Sequence, residues 1–109
     1  MNSIQRAFCD KGIFRGGLLF LKGPDALEMV RRCRELQMQV LGVDGFLLTD
    51  KTTQPLMEHS IDVSRGGRAT VGGQQIVTPT DSWKLAEEFI RERLEMDLFF
   101  EVVCSEAKT

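Results

Sequence analysis

The chain has 109 residues, of which 42% are hydrophobic and 28% charged, and a formal charge of -2 at neutral pH. The length predicts one domain, 1–109, and the composition excludes a disordered chain and a membrane span. The three cysteines are odd in number and lack CxxC spacing, so the sequence suggests neither a disulfide framework nor a zinc site. We expect a cytoplasmic protein with no cofactor, no metal site and no membrane contact.

Charge is unevenly distributed along the chain. Residues 1–34 carry a balance of +4, and residues 81–109 carry a balance of -4. The two regions either compensate each other in the fold or leave a dipolar surface for a charged partner. A single Arg65-Gly66-Gly67-Arg68 element in an acidic chain does not indicate nucleic-acid binding.

The first half of the sequence predicts a strand, a helix and a second strand. Residues 18–21 form an apolar run, and residues 24–38 have helical spacing of apolar positions. Residues 40–43 are again strand-like. Asp44-Gly45 predicts either a tight hairpin turn or a bulge in a strand that continues through residues 46–48. We favour the continuous, kinked strand, because a hairpin would leave two very short strands.

The middle of the chain is polar and rich in glycine. Residues 49–55 predict a loop, and residues 60–63 alternate in polarity as an edge strand does. Residues 65–79 predict either an exposed hairpin or a mobile loop.

The last third predicts a helix and the strongest strand of the chain. The helix begins near Thr80–Ser82 and ends at Asp97, and residues 98–104 are aromatic and β-branched. Residues 105–109 form a frayed tail. We therefore predict an α+β fold with a single sheet of about four strands and two helices on one face. A split βαβ (ferredoxin-like) pattern fits, with a barstar-like layout as the alternative.

The densest polar segment surrounds the only histidine. His59 with Asp44 or Asp62 suggests general-base chemistry of a small hydrolase-type enzyme. Strand alternation, however, places Ser60 and Asp62 on one face and His59 on the other. The pattern therefore favours a binding protein over an enzyme.

Two stretches together resemble a known class of proteins. Residues 26–46 with Thr53-Gln54-Pro55 and His59–Asp62, and Ser82–Ile90 with Phe99-Phe100-Glu101, are similar to small stand-alone bacterial immunity-type proteins. The resemblance leaves out residues 65–79. It implies a non-enzymatic protein that binds and blocks a toxin domain, and it assigns no functional residue.

The acidic C-terminal region suggests how such a protein would bind. Its carboxylates would meet the basic cleft of a toxin or nuclease, which speeds association and occludes substrate. The predicted partner-binding residues are Glu87, Glu88, Glu92, Glu95 and Asp97. A homo-oligomeric regulatory or assembly module that pairs through an exposed sheet edge is a third hypothesis, and the sequence fits either a monomer or a homodimer.

Overall fold

Residues 3–65, 68–72, 74–77 and 82–105 are described by a computed structural model of the chain. The helices are α1 (Ser3–Phe8), α2 (Gly23–Glu35) and α3 (Ser82–Arg91). The strands are β1 (Ile13–Arg15), β2 (Leu18–Lys22), β3 (Val40–Leu48), β4 (Thr53–Arg65), β5 (Arg68–Val71), β6 (Gln74–Val77) and β7 (Phe99–Cys104). The α+β class is confirmed. The expected two helices and about four strands are wrong, because the sequence pattern predicts neither α1 nor β1 and leaves residues 65–79 undecided.

The strands form one antiparallel sheet in the order β1-β2-β7-β3-β4-β5-β6. β7, the last strand in the chain, lies between β2 and β3. Because both of its pairings are antiparallel, β2 and β3 run parallel to each other, and α2 joins them across the inserted strand. By the same reasoning β4 and β7 are parallel with β3 between them. The chain passes from β4 to β7 through the β5–β6 hairpin and then α3, so only the β2–α2–β3 connection is a direct split crossover.

The helices pack on one face of the sheet and bury the core there. α2 contacts β2 and β7, α3 contacts β3 and β4, and the two helices contact each other. The short helix α1 packs on α2. Helical spacing accounts for the buried stripe of each helix. The stripe of α2 is Ala26, Leu27, Met29, Val30 and Cys33, and that of α3 is Ala86, Phe89 and Ile90.

The second long helix is shorter than predicted. α3 ends at Arg91 rather than at Asp97. Beyond it, Arg93 and Leu94 donate backbone hydrogen bonds three residues back, which tightens the chain into turns. Leu94, four residues after the buried Ile90, is exposed, so burial does not favour a further helical turn there.

β3 is continuous through Asp44-Gly45, which confirms one continuous strand instead of a hairpin turn, although the irregularity at Asp44-Gly45 lies in β4 and not in β3. The register with β4 shifts at this point: Asp44 pairs with Ser60, but Gly45 pairs with Leu56. Residues 57–59 therefore bulge out of β4. A Cβ on Gly45 would lie 2.5 Å from the His59 carbonyl oxygen, so the bulge requires a residue without a side chain.

β4 differs from the predicted short edge strand. It begins at Thr53, inside the expected loop, and its residues Ile61 and Asp62 pair with β5. Pro55 is tolerated because this half of β4 has β3 as its only described neighbour, and the missing N–H breaks no ladder. β5 and β6 form the hairpin predicted for residues 65–79. The described residues do not include 66–67, 73 and 78–79, nor the predicted tail beyond Ser105.

Candidate functional site on the sheet face

The face of the sheet opposite the helices carries a mixture of aromatic and acidic side chains. Leu19, Leu21, Phe100 and Val102 belong to the core under the helices. Since strand residues alternate, their neighbours point to the other side. We call that side the open face. Its side chains include Phe20, Phe46, Phe99, Asp44, Ser60, Asp62 and Glu101.

Three carboxylates on this face form what we call the carboxylate cluster: Asp44, Asp62 and Glu101. Asp44 on β3 pairs directly with Glu101 on β7, and Asp62 on β4 pairs with Gly42. Side chains at directly opposed antiparallel positions have Cβ atoms about 4.5–5.5 Å apart. Like charges at such positions repel each other, so Asp44 and Glu101 destabilise the sheet when both are ionised.

Partial burial changes the proton affinity of this pair. Burial raises the pKa of the Asp44 carboxyl, a hydrogen bond with Ser60 opposes that rise, and the charge of Asp62 adds to it. Burial likewise raises the pKa of the Glu101 carboxyl, and the charge of Asp44 raises it further. The Ser60 hydroxyl also lies 2.9 Å from the Leu56 carbonyl oxygen, so its single proton is shared between two acceptors. No described cation forms an ion pair with Asp44 or Glu101.

Apolar side chains surround the cluster on two sides. Asp44 and Ser60 share one depression with Phe46, Pro55 and Met57. On its other side, Asp44 and Asp62 line a second depression. The remaining residues of that second depression are Leu41, Gly42, Ile61 and Val103. Met57, in the β4 bulge, is 72% exposed, an unusual position for a large apolar side chain.

The sheet curls toward the open face. The guanidinium of Arg15 donates to the Thr52 carbonyl and the Thr53 hydroxyl, each at 3.0 Å, although three strands separate β1 from β4. The rings of Phe20 and Phe46 meet edge to face at 4.8 Å although β7 lies between their strands. The curl explains why Phe20 is only 1% exposed, and it makes the open face concave.

His59 does not share a site with the predicted aspartates. Ser60 is on the open face opposite Asp44, so the neighbouring His59 points to the helix side. There its Nδ1 accepts a hydrogen bond of 3.1 Å from Nε of Arg93, whose guanidinium stacks on the ring of Phe89. This environment gives His59 a structural role in holding the turn after α3, and it separates His59 from Asp44 and Asp62.

The five acidic residues predicted to bind a partner are only partly available. Glu87, with a side chain 13% exposed, pairs with Arg91, and Asp97 pairs with Lys22. Glu92 lies 3.5 Å from Arg93. Glu88 and Glu95 are exposed and have no ion pair among the described side chains.

Glu101 is the site residue that the sequence pattern does not reveal. It lies within the predicted strand Leu98–Cys104, and the alternation of that strand places it on the same face as Phe99 and Val103. The one feature of the sequence that could have indicated Glu101 is a charged residue between aromatic and β-branched residues. Its pairing with Asp44 depends on the position of β7 in the sheet, which the sequence pattern does not supply.

Comparison of the sequence with models of protein families and with curated proteins gives no match, and comparison of the fold with solved structures gives none. Within the described residues, no group of three or more His, Cys, Asp and Glu side chains is arranged to hold a metal ion. In the same part of the chain, every helix is too short or too polar to cross a bilayer.

Proposed function

We propose that this chain is a protein-binding module of the immunity type, which holds a cationic segment of a toxin or nuclease domain against its open face. The observation that carries the proposal is the Asp44–Glu101 pair. Two directly opposed carboxylates are half-buried in a concave, partly apolar face, without a cation among the described residues. A lysine or arginine of a partner would relieve their repulsion.

The energetics favour a cationic partner over a neutral one. Close charge pairs across an interface contribute about 1.5–7 kcal/mol of coupling where they have been measured by double-mutant cycles. The exposed Met57 and the apolar parts of both depressions supply area that an inserted side chain would bury. Interface hot spots usually lie in well-packed, desolvated pockets, and arginine is one of the residues enriched in them.

The acidic side chains near α3 have a separate role in this proposal. Glu88 and Glu95 are exposed and lie in the acidic part of the chain. Exposed charges mainly accelerate encounter with an oppositely charged partner and add little affinity in the bound state. We therefore assign long-range steering to them and the bound-state contact to the carboxylate cluster.

The proposal is tested by affinity capture from the native host with three baits. These are the unchanged chain, the Asp44→Asn/Glu101→Gln variant, and a Glu28→Gln/Glu35→Gln variant that removes the same charge from exposed positions of α2. We expect one partner, retained by the first and third baits and lost by the second, with release at raised salt. The purified partner's toxic or nuclease activity should be inhibited by the unchanged chain.

Two outcomes contradict the proposal. One is equal retention of the same partner by all three folded baits, verified by circular dichroism. The other is the absence of a specific partner together with turnover of a substrate by the purified chain.

A further inference from the structure

Two of the three cysteines meet at one end of the molecule, far apart in sequence. Cys33 lies on the last turns of α2, and residues 36–39 return the chain directly to β3. Cys104 is the last residue of β7 and pairs with Val40 at the start of β3. The short connection after α2 therefore brings Cys33 over the end of β7.

The two side chains lie in the same part of the core. Cys104 packs against the core cluster that contains Cys33, and the elements that carry the two residues, β7 and α2, contact each other. The two cysteines are not joined by a disulfide bond in this structure. Cys33 is fully buried, whereas Cys104 is partly exposed to solvent.

The backbone on both sides of the pair is held in place. Met38 N–H donates to the Cys33 carbonyl at 2.8 Å, and Ser105 N–H donates to the Gln39 carbonyl at 2.9 Å. The indole N–H of Trp83 donates to the Met38 carbonyl at 2.9 Å. A disulfide requires backbones that are already close, since large movements of the chain strain the bond.

We propose that Cys33 and Cys104 form a reversible disulfide in this protein, with a small disulfide such as oxidised glutathione as the oxidant. The thiolate of Cys104, the accessible partner, attacks one sulfur of the oxidant and displaces one glutathione thiolate. The Cys33 sulfur then attacks the Cys104 sulfur, loses its proton and displaces the second glutathione. Two protein thiols are oxidised and one disulfide is reduced to two thiols. This inference is independent of the proposed function.

The burial of Cys33 sets the rate of the second step. In the reduced protein the interaction with Cys104 and burial both raise the pKa of the Cys33 thiol. Burial persists after Cys104 has reacted, so the reactive thiolate of Cys33 remains scarce. Ring closure is therefore slower than formation of the mixed disulfide, and the glutathione adduct of Cys104 should accumulate first.

The test uses the full chain with Cys9→Ser, which removes the exposed third thiol. After incubation with oxidised glutathione under native conditions, we expect peptide mapping to show a Cys33–Cys104 linked peptide lighter by two hydrogen atoms. The midpoint of thermal unfolding should rise by about 5 °C or more, because the crosslink restricts the unfolded chain. A thiol reductant should reverse both changes.

A matched variant, Cys9→Ser/Cys104→Ser, should leave Cys33 unmodified until the chain is denatured. The proposal is overturned if native oxidation stops at a glutathione adduct on Cys104, if neither thiol reacts, or if the linked peptide forms only in denaturant. These readouts need no core substitution at Cys33, so a failure to fold cannot obscure them.

Discussion

Gly45 is the residue on which the geometry of the open face depends. The His59 carbonyl oxygen occupies the space that a side chain would need, at 2.5 Å from an ideal Cβ. We predict that Gly45→Ala lowers the free energy of unfolding in urea by about 1–3 kcal/mol, as overpacking does elsewhere. Gly23→Ala is the control: its Cβ would meet only the tip of the Leu94 side chain, which can move, so the expected change is small.

Arg93 is the most enclosed cation among the ion pairs described. Its side chain is 14% exposed, and its Nη1 donates to the Phe89 carbonyl at 3.1 Å while its Nε donates to His59. We predict that Arg93→Met destabilises the chain by about 1–3 kcal/mol, because two partly buried acceptors lose their donor. Arg32→Met, which removes an exposed pair with Glu35, should change stability by less than about 0.5 kcal/mol. Equal losses for the two variants in urea unfolding would contradict the prediction.

At the scale of elements, the β1–β2 hairpin depends on its two glycines. Gly16 and Gly17 both have positive φ, 62° and 82°, as a type I′ turn requires. We predict that Gly16→Val costs about 1–2 kcal/mol, whereas Gly16→Asn costs less, because asparagine tolerates the left-handed region. Since nothing lies within 4 Å of a Cβ at Gly16, the difference reports backbone strain alone. Thermal unfolding of both variants measures it.

The elements that the sequence predicts well are those in which apolar residues recur at regular spacing. α2, β2, β7 and the continuous β3 follow directly from apolar spacing. The sequence does not predict β1, because three residues are too few to show the alternation of a strand. It does not predict the first half of β4 either, because its polar residues and Pro55 resemble a loop, and only pairing with β3 makes them a strand.

At the scale of the whole molecule, the carboxylate cluster links stability to pH. In the folded chain the pKa values of Asp44 and Glu101 lie above their ordinary values of 3.8 and 4.5. The free energy of unfolding therefore falls as the pH rises from those values toward the raised ones. We predict that Asp44→Asn/Glu101→Gln stabilises the chain at pH 7 by up to about 1 kcal/mol, since solvent screens half-exposed groups.

That gain should disappear in acid, below the ordinary pKa values, because Asp44 and Glu101 of the unchanged chain are then protonated in both the folded and the unfolded state. The control is Glu95→Gln, an exposed position outside the open face. Urea unfolding of all three chains at several pH values checks the prediction, and a gain that is independent of pH would contradict it. Greater stability combined with lost binding would be typical of a functional site.

The candidate site is less predictable than the elements because it is assembled across strands. Alternation along β4 correctly separates His59 from Ser60 and Asp62. The pairing of Asp44 with Glu101 requires the order of strands, a long-range property that local patterns do not contain. The charge gradient along the sequence likewise does not predict which charges pair. The Lys22–Asp97 ion pair joins the basic and acidic regions, whereas Lys11–Glu28 and Arg91–Glu87 each lie within one region.

The position of β7 has a consequence for how the chain is made. This strand fills the slot between β2 and β3, yet it is synthesised after every other strand of the sheet. When translation has reached only α3, β7 is absent, so the edges of β2 and β3 that pair with it have unpaired backbone N–H and C=O groups. Such exposed edges tend to associate with other chains. The sheet can therefore be completed only after residue 104 has been translated. A synthetic peptide with the sequence of β7 should bind to a truncated chain that lacks this strand.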